Sequence, residues 1–206
     1  YYFHPVTQRA FGVAADGTLG EVTHVEVRMA MPPPDDGDPR WSLEMAGGAL
    51  MDLGCYGLHI MRSLGRLGVP GVDGRPSITR AHAEQRTPGV DAWCDVEVAF
   101  PGGATGLSAN SMVAEDYSFT IRIVGTAGDA VVHDFIRPNH DDQLTINTPA
   151  GTTVERLGTR PSYTHQLEAF AAHVQHGTPL PFGTADAVAN MAFVDGAYRA
   201  AGMVPR

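Results

Sequence analysis

The sequence predicts an α+β fold, an open and mainly antiparallel β-sheet with helices packed on one face. Short β-branched runs separated by turn residues fill the segment from 77 to 154, and helical periodicity lies on either side of it. No strand, Gly-x-Gly-x-x-Gly turn and helix follow one another in the sequence. The chain therefore predicts no dinucleotide-binding fold of its own.

The segment before the long helix predicts one helix, one strand and one loop. His4-Pro5 places proline in a first turn, and apolar residues recur at helical spacing, which predicts a helix over about 5–15. Alternating valines predict a strand over 21–31. The run 32–39 holds four prolines and three aspartates, which favour neither a strand nor a helix. We expect it to be a solvated loop.

A long buried helix is predicted over 47–67. Apolar residues recur there every three or four positions, at Leu50, Leu53, Tyr56, Ile60 and Leu64 or Leu67. Strand-like runs follow at 78–85, 92–100, 106–112, 119–124, 130–134 and 143–147. Hairpin turns are predicted at 101–103 and 125–128, where glycine recurs.

Two helices are predicted at the end of the chain, over about 164–176 and 185–201. In each helix the large apolar residues recur at the spacing of a core-facing stripe. The first stripe is Leu167, Phe170, Ala171 and Val174, and the second is Val188, Met191, Val194 and Tyr198.

The composition argues against several classes of function. The 206 residues carry a formal charge of −9, which disfavours nucleic acid and anionic membranes as partners. All 14 basic residues are arginine, so the chain cannot supply a phosphate-loop or Schiff-base lysine. No apolar run suits a membrane span or a secretory leader, and the two cysteines, Cys55 and Cys94, make no disulfide framework. We expect a cytoplasmic protein.

The densest group of candidate catalytic residues lies on the long helix. Asp52, Tyr56 and His59 are spaced by four and then three positions, so they share one helix face. An aspartate, a phenol and an imidazole together can hold, donate and accept a proton. A phenol works at neutral pH only where a nearby cation favours its ionised form, and that cation would have to come from another domain.

The same spacing also fits an ordinary core helix whose polar residues are satisfied internally. Gly48, Gly54 and Gly57 each cost about 1 kcal/mol in a helix interior relative to alanine. Their presence indicates that another backbone or a ligand packs closely against this helix. His173 and His176 have a spacing that suits a metal, but no carboxylate or cysteine accompanies them, so no metal site is predicted.

Five sequence motifs occur in a fixed order along the chain: Tyr2-Phe3-His4-Pro5, Gly17 to Val22, Gly47 to His59, Ile123 to Gly128, and Gln166 to Phe170 with Gly177-Thr178-Pro179. Together they resemble the C-terminal domain of the glucose-fructose oxidoreductase, inositol dehydrogenase and MocA family. The resemblance spans essentially the whole chain, and the segment around Asp52 is its most specific part.

The resemblance implies that 1–206 is a single substrate-binding and oligomerisation domain. Members of the family carry an N-terminal Rossmann domain that binds NAD or NADP, with a catalytic lysine in a Glu-Lys-Pro motif. This chain contains neither feature, so we expect it to bind no cofactor and to be inactive alone. It begins at Tyr1 without an initiator methionine, which is expected of a fragment or a processed product.

The resemblance also implies roles for individual residues. The inositol dehydrogenase branch has the pattern Asp-x-Gly-x-His-x-x-Asp, and here Tyr56 and His59 replace its histidine and second aspartate. This is similar to the branch of glucose-fructose oxidoreductase and dihydrodiol dehydrogenase. Tyr56 is then the proton donor or acceptor, Asp52 orients substrate hydroxyls or the catalytic pair, and His59 is a second acid–base group or a substrate contact. Further substrate contacts are expected from His4, Trp41 and Tyr163.

The expected function is therefore that of one half of an NAD(P)-dependent oxidoreductase, acting on a hydroxyl or carbonyl of a sugar, polyol or related small molecule. The alternative is a non-catalytic domain of the same shape that binds a ligand or assembles subunits. Over 92–100 one alternate set of residues is apolar and the other is mixed, with Trp93 among charges. We expect a homodimer through the helix-free face of the sheet.

Overall fold

The fold is centred on one open sheet of eight strands. The computed structural model describes residues 1–205, in which the strands pair in the order β2-β3-β4-β1-β5-β6-β7-β8. The strands are β1 Val22–Ala30, β2 Ser77–Thr87, β3 Val90–Ala99, β4 Thr105–Ser111, β5 Ser118–Gly125, β6 Gly128–Val132, β7 Gln143–Thr148 and β8 Gly151–Arg156. The helices are α1 Pro5–Ala15, α2 Cys55–Arg66, α3 Ser162–His176 and α4 Thr184–Ala200. The predicted α+β class is confirmed.

The sheet is antiparallel except at one pair of neighbours. Strand β1 runs parallel to β4 and antiparallel to β5, and every other neighbouring pair is antiparallel. Because β1 lies between β4 and β5, its inward residues Val25, Val27 and Met29 are buried at the middle of the sheet. The hairpin turns predicted at 101–103 and 125–128 join β3 to β4 and β5 to β6.

The two faces of the sheet differ in polarity. The face toward α1, α2 and α4 is apolar, with buried side chains such as Val96 and Ile121. On the other face Glu26, Arg28 and Asp95 are only partly buried or exposed. The predicted contrast between one apolar face and one mixed face is confirmed. Within residues 1–205, no helix combines the length and the apolarity needed to cross a membrane.

Helix α2 lies directly on strand β4, and two glycines permit the close approach: Gly54, just before the helix, and Gly57, within it. A Cβ atom on Gly57 would clash with the side chain of Ser108, and one on Gly54 would press on Leu50 and Asn110. The sequence indicated a close neighbour at these glycines, and β4 is that neighbour. The helix axis is therefore nearer to the sheet than larger residues would permit.

Helix α3 departs from the prediction that its apolar stripe faces the core. None of its residues is buried, and Leu167, Phe170 and Val174 are more than half exposed. In α4, Val194 and Tyr198 are buried as predicted, but Val188 and Met191 are exposed. The periodicity identified an apolar face on α3 correctly, yet no part of residues 1–205 covers that face.

The contact between α2 and β4 can be tested by adding one methyl group. We expect Gly57→Ala to lower the free energy of unfolding by about 1–3 kcal/mol, because the new Cβ would displace Ser108. The matched control is Gly12→Ala in α1, where a Cβ meets nothing within 4 Å. Helix propensity predicts that this control gains about 0.5–1 kcal/mol. Urea denaturation of both variants measures the difference, and equal stabilities would contradict the tight contact.

Candidate active site

The helix that carries the predicted cluster begins with a wider turn than the sequence predicts. Leu50–Gly54 form a π-helical turn that continues into α2. The backbone N–H of Leu50 donates to Oδ2 of the buried Asp91 in β3 at 2.6 Å. The hydroxyl of Tyr198 in α4 donates to the other oxygen of Asp91 at 3.3 Å. The start of the helix is thus fixed to both the sheet and α4.

Tyr56 lies between two cavities. The aromatic cavity has a volume of about 350 Å³ and is lined by Tyr1, Tyr2, Phe3, Tyr56, His59, Ile136, Ser162, Tyr163, Gln166 and Phe182. The Arg40 cavity has a volume of about 380 Å³ and is lined by Pro39, Arg40, Met45, Ala46, Gly47, Met51, Asp52, Cys55 and Tyr56. Tyr56 shares the first cavity with His59 and the second with Asp52. Asp52 and His59 line different cavities.

His59 is the centre of a hydrogen-bond network that joins distant parts of the chain. Its Nε2 lies 3.0 Å from Oδ2 of Asp186, and its Nδ1 is hydrogen-bonded to the hydroxyl of Tyr1. The other oxygen of Asp186 accepts from Arg62 at 2.8 Å and from Arg66 at 3.1 Å. The side chains of His59, Asp186 and Arg62 are 15%, 11% and 9% exposed, so the network is largely shielded from water.

The network assigns the tautomer of His59. An ionised carboxylate only accepts hydrogen bonds, so the neutral imidazole carries its proton on Nε2, toward Asp186. Nδ1 then accepts a hydrogen bond from the hydroxyl of Tyr1. The lone pairs of the Tyr1 oxygen are not used in that bond. His59 can take up a proton through Tyr1, and Asp186 stabilises the imidazolium that results.

Burial and charge act in opposite directions within this network. Burial lowers the pKa of His59, and the charge and hydrogen bond of Asp186 offset that effect only in part. Burial by itself would raise the pKa of Asp186, but the hydrogen bond and charge of Arg62 outweigh it and leave that pKa below the ordinary value. At neutral pH the network therefore holds an ionised Asp186 and a neutral His59.

Tyr56 and Asp52 are both shifted toward their neutral forms. Burial raises the pKa of Tyr56, and the neighbouring Cys55, Tyr163 and Asp52 raise it further. Burial also raises the pKa of Asp52, which Arg40 opposes only in part. Among the described residues, no cation acts to lower the pKa of Tyr56. The phenol is therefore protonated at neutral pH in this chain.

The three predicted substrate-binding residues lie in different environments. Tyr163 is 75% exposed and lines the aromatic cavity with Tyr56. His4 is fully buried; its Nδ1 accepts from the N–H of Val6, and its Nε2 bonds the carbonyl of Arg160, so it caps α1.

Trp41 is also buried, and its indole N–H donates to the carbonyl of Pro34 at 3.1 Å. The guanidinium of Arg86 stacks on its ring. Of the three, the structure brings only Tyr163 into contact with the cavities around Tyr56.

Sequence reasoning missed Tyr1, Asp186 and Arg40 at the site. Asp186 is 127 positions from His59, so no local spacing relates the two residues. The acidic residue in the first turn of α4 is an ordinary helix-start signal and does not point to His59. Arg40 lies in the short turn Pro39–Trp41 after the Pro-rich loop, where only the fold brings it toward Asp52.

The role of Asp186 can be measured on His59 directly. We expect Asp186→Asn to lower the pKa of His59 further, because the favourable charge is removed while burial remains. An NMR titration of the imidazole nitrogens reports both this pKa and the tautomer. Asp195→Asn, on the same helix but paired with Arg199, is the control and should leave His59 unchanged. Asp186→Glu keeps the charge if the amide variant folds poorly. A pKa of His59 that stays the same or rises in Asp186→Asn would contradict the network.

The comparisons with known proteins agree with this fold. The model of the GFO/IDH/MocA C-terminal domain family matches residues 7–131. The chain is 28% identical over 204 residues to D-xylose 1-dehydrogenase (NADP(+)) 2 of Haloferax volcanii, a match that covers 98% of this chain and 60% of the relative. It is also 28% identical over 165 residues to the dTDP-3,4-didehydro-2,6-dideoxy-alpha-D-glucose 3-reductase of Streptomyces violaceoruber. That match covers 77% of this chain and 45% of the relative.

A solved structure shares the fold over nearly the whole chain. The aldose-aldose oxidoreductase from Caulobacter crescentus, complexed with glycerol, superposes with a TM-score of 0.81 at 21% identity. That match covers 98% of this chain and 59% of the other. The chain thus spans about half to three fifths of the length of these three proteins, which are sugar and nucleotide-sugar oxidoreductases. It belongs to the GFO/IDH/MocA C-terminal domain family.

Proposed function

We propose that this chain is the substrate-binding and oligomerisation domain of an NAD(P)-dependent oxidoreductase. The enzyme acts on a hydroxyl or carbonyl of a sugar, polyol or related small molecule, and a dinucleotide-binding domain precedes Tyr1. The free thiols of Cys55 and Cys94 fit a cytoplasmic location for such an enzyme. The family and the sugar-oxidoreductase relatives support the reaction class. The proposed substrate-binding site is argued from the geometry around Tyr56.

The position of Tyr56 carries the proposal. Its phenol is shared by two cavities of about 350 and 380 Å³, a size that suits a small molecule. Tyr163 and Phe182 supply aromatic surface in the first cavity, and Arg40 and Asp52 supply charge in the second. A substrate bound against Tyr56 would therefore have apolar contacts on one side and hydrogen-bonding groups on the other.

Tyr56 moves the proton in this proposal. In oxidation the phenolate accepts the proton of the substrate hydroxyl, and in reduction the phenol donates its proton to the carbonyl oxygen. Burial raises the pKa of Tyr56, so the phenolate forms near neutral pH only beside an added cation. The chain contains no lysine, and Arg40 already forms a bidentate pair with Asp38, so the cation comes from the preceding domain.

The described residues do not fit a dinucleotide by themselves. The loop after β1 is proline-rich, and β1 and β4, the parallel pair, are separated by α2, β2 and β3. The N–H of Leu50 at the start of the π-helical turn already donates to Asp91. Among residues 1–205, no Gly-x-Gly-x-x-Gly turn joins a strand to a helix, the arrangement that holds a pyrophosphate in a Rossmann fold. NAD or NADP, which supplies or accepts the hydride, is therefore assigned to the preceding domain.

Asp52 and His59 act from opposite sides of Tyr56. Asp52 can accept hydrogen bonds from substrate hydroxyls in the Arg40 cavity. His59 presents Tyr1 to the aromatic cavity and can receive a proton through it, while Asp186 holds the imidazole in place. The two groups orient the substrate, and neither replaces the phenol at the reacting oxygen.

The role of Tyr56 is tested in the longer gene product that includes the residues before Tyr1. We expect Tyr56→Phe to lower kcat by about 10²- to 10⁴-fold with a much smaller change in KM, since the hydroxyl acts in proton transfer. Tyr117→Phe, an exposed tyrosine that lines neither cavity, is the matched control. Steady-state kinetics with aldoses and polyols measure both variants. A near-normal kcat for Tyr56→Phe would move the proton transfer to another group, and an absence of turnover in the parent would favour the binding-domain alternative.

We also propose that the helix-free sheet face forms a homodimer. Arg28 of β1, Ala109 of β4 and Asp95 of β3 lie side by side across this face, and Trp93 lies beside them. A face that mixes aromatic, small and charged side chains is typical of a protein interface. An interface of more than about 1,000 Å² would be expected of a stable pair.

The dimer can be tested on the 206-residue chain. Sedimentation velocity at micromolar concentration should give twice the monomer mass of 21.9 kDa. Ala109→Arg, at the middle of the face, should shift the chain to monomer by crowding and charge repulsion beside Arg28. The control Thr153→Arg adds the same charge on the exposed edge strand β8 and should leave the dimer intact. A parent that remains monomeric as concentration rises would show that the face is solvated.

A further inference from the structure

A further cavity, lined by arginine, lies where the end of α2, the loop before β2 and the first half of α4 meet. This arginine cavity has a volume of about 330 Å³ and shares no lining residue with the two cavities around Tyr56. Among residues 1–205, no carboxylate lines it. Its lining includes Arg62, Gly65, Arg66, Gly74, Arg75 and Ala189.

Two glycines bring the third arginine beside the other two. The N–H of Gly74 donates to the carbonyl of Gly65 at 3.0 Å, and Gly74 has a φ of 83°. A Cβ on Gly65 would lie 2.1 Å from the carbonyl oxygen of Gly74, so the loop can approach α2 this closely only at a glycine. Arg75 follows Gly74 directly and is thereby placed next to Arg62 and Arg66, which are one helical turn apart.

The three guanidinium groups of the arginine cavity are only partly neutralised. One oxygen of Asp186 accepts from Arg62 at 2.8 Å and from Arg66 at 3.1 Å, so two cations share one carboxylate. The other hydrogen bonds of these two arginines go to uncharged oxygens. Arg75 is exposed, and within residues 1–205 its guanidinium has no hydrogen-bond or ion-pair partner. The cavity therefore has an excess of positive charge in a chain whose formal charge is −9.

The charge and the free donors of the cavity suit a small dianion. A guanidinium has five N–H donors, and the bonds to protein oxygens use only two of them in Arg62 and two in Arg66. The nearby Asp73 does not compete, because its carboxylate lies against Gly102. A phosphate group carries about two negative charges at neutral pH and accepts paired hydrogen bonds from arginine. The volume is sufficient for a phosphate with a small organic group attached.

A macromolecular polyanion fits the cavity less well. The net charge of −9 repels a nucleic acid or an anionic membrane from most of the surface. The side chain of Arg62 is only 9% exposed, so part of the positive charge is reached from inside the cavity alone. A small ligand can enter the cavity, where the local field of the arginines outweighs the repulsion from more distant charges.

We propose that the arginine cavity binds a small dianion, either free phosphate or the phosphate group of a phosphorylated metabolite, between Arg62, Arg66 and Arg75. The occupied site acts on His59 through Asp186, whose one oxygen accepts from Arg62 and Arg66 while the other contacts the imidazole. The site is independent of the proposed oxidoreductase function, because the cavity and the network are both formed by this chain.

A bound dianion favours the protonated form of His59. The imidazole is faced by Asp186 of α4, by Arg62 and Arg66 of its own helix and by the hydroxyl of Tyr1. Burial and the two arginines lower the pKa of His59, whereas the charge and hydrogen bond of Asp186 raise it. A dianion offsets the charge of the arginines, so the pKa of His59 rises when the cavity is filled. By linkage, protonation of His59 strengthens dianion binding by the same factor.

Calorimetry with inorganic phosphate tests the site in the 206-residue chain at constant ionic strength. We expect Arg75→Gln to weaken phosphate binding by about tenfold or more, since it removes charged donors. The fold should be unaffected, because Arg75 bonds no other group within residues 1–205. Arg80→Gln is the matched control: it removes the same charge on β2, where Arg80 is 61% exposed and outside the cavity. A hexose phosphate and the unphosphorylated hexose are titrated in parallel.

An NMR titration of the His59 imidazole tests the coupling. Sulfate is the probe, because it keeps both charges over the pH range in which histidine titrates, and sodium chloride at equal ionic strength is the reference. Sulfate should raise the pKa of His59 in the parent and in Arg80→Gln, but not in Arg75→Gln. Binding that leaves the pKa of His59 unchanged in the parent would overturn the coupling.

The outcomes are independent of turnover. Phosphate binding that is weakened in Arg75→Gln and kept in Arg80→Gln supports the site, whether or not the longer gene product oxidises a sugar. Tighter binding of the hexose phosphate then identifies a phosphorylated molecule as the ligand, and equal binding identifies free phosphate. Equal phosphate affinity in the three proteins, or none in the parent, overturns the site even where the longer gene product is an active oxidoreductase. Equal binding of the hexose and its phosphate also overturns it, because the phosphate is then not recognised.

Discussion

The contact between helix α2 and strand β4 determines the geometry of the site. The helix reaches the sheet because Gly54 and Gly57 leave room for the side chains of Asn110 and Ser108. Tyr56 lies between these two glycines, and His59 follows within one turn, so both residues take their positions from that approach. A larger residue at either glycine would move the helix, and with it the phenol and the imidazole, away from the groups that the rest of the chain supplies.

The packing of the helix also explains why the two acid–base groups have different partners. On one side of Tyr56 the π-helical turn carries Asp52 toward Arg40, which the loop after β1 supplies. On the other side α4 packs against α2 and brings Asp186 to His59. Asp186 is 127 positions from His59, whereas Arg40 is in the segment just before the π-helical turn. The helix therefore lies between the aromatic cavity and the Arg40 cavity, and Tyr56 lines both of them.

Local sequence patterns predicted the helices, strands and hairpins, because these elements are determined mainly by interactions between residues close in sequence. The period of the apolar residues predicted the helix of Tyr56 and His59. The β-branched runs and glycines predicted strands β1 to β7 and two hairpins, but not β8. The same patterns could not give Asp186 or Tyr1, because their contacts with His59 depend on how α4 and the first residues fold back on α2. The π-helical turn was not predicted either, and its first residue, Leu50, makes a tertiary hydrogen bond to Asp91.

Helix α3 shows the limit of periodicity most clearly. The spacing of Leu167 and Phe170 identified an apolar face, and that face exists, but the pattern is silent about what lies against it. A core-facing stripe and a docking stripe have the same sequence signature, because burial against any neighbour is favoured by the same apolar side chains. Only the exposure of the folded helix distinguishes the two.

The uncovered helix and the uncharged phenol lie at the same place in the molecule. Burial shifts Tyr56 and Asp52 toward their neutral forms and leaves His59 neutral, while Asp186 and Arg62 neutralise each other. A single added cation would therefore act on Tyr56 with little competition from the charges already present. Tyr163 of α3 is 75% exposed and lines the cavity of Tyr56, so the exposed side of α3 adjoins the phenol.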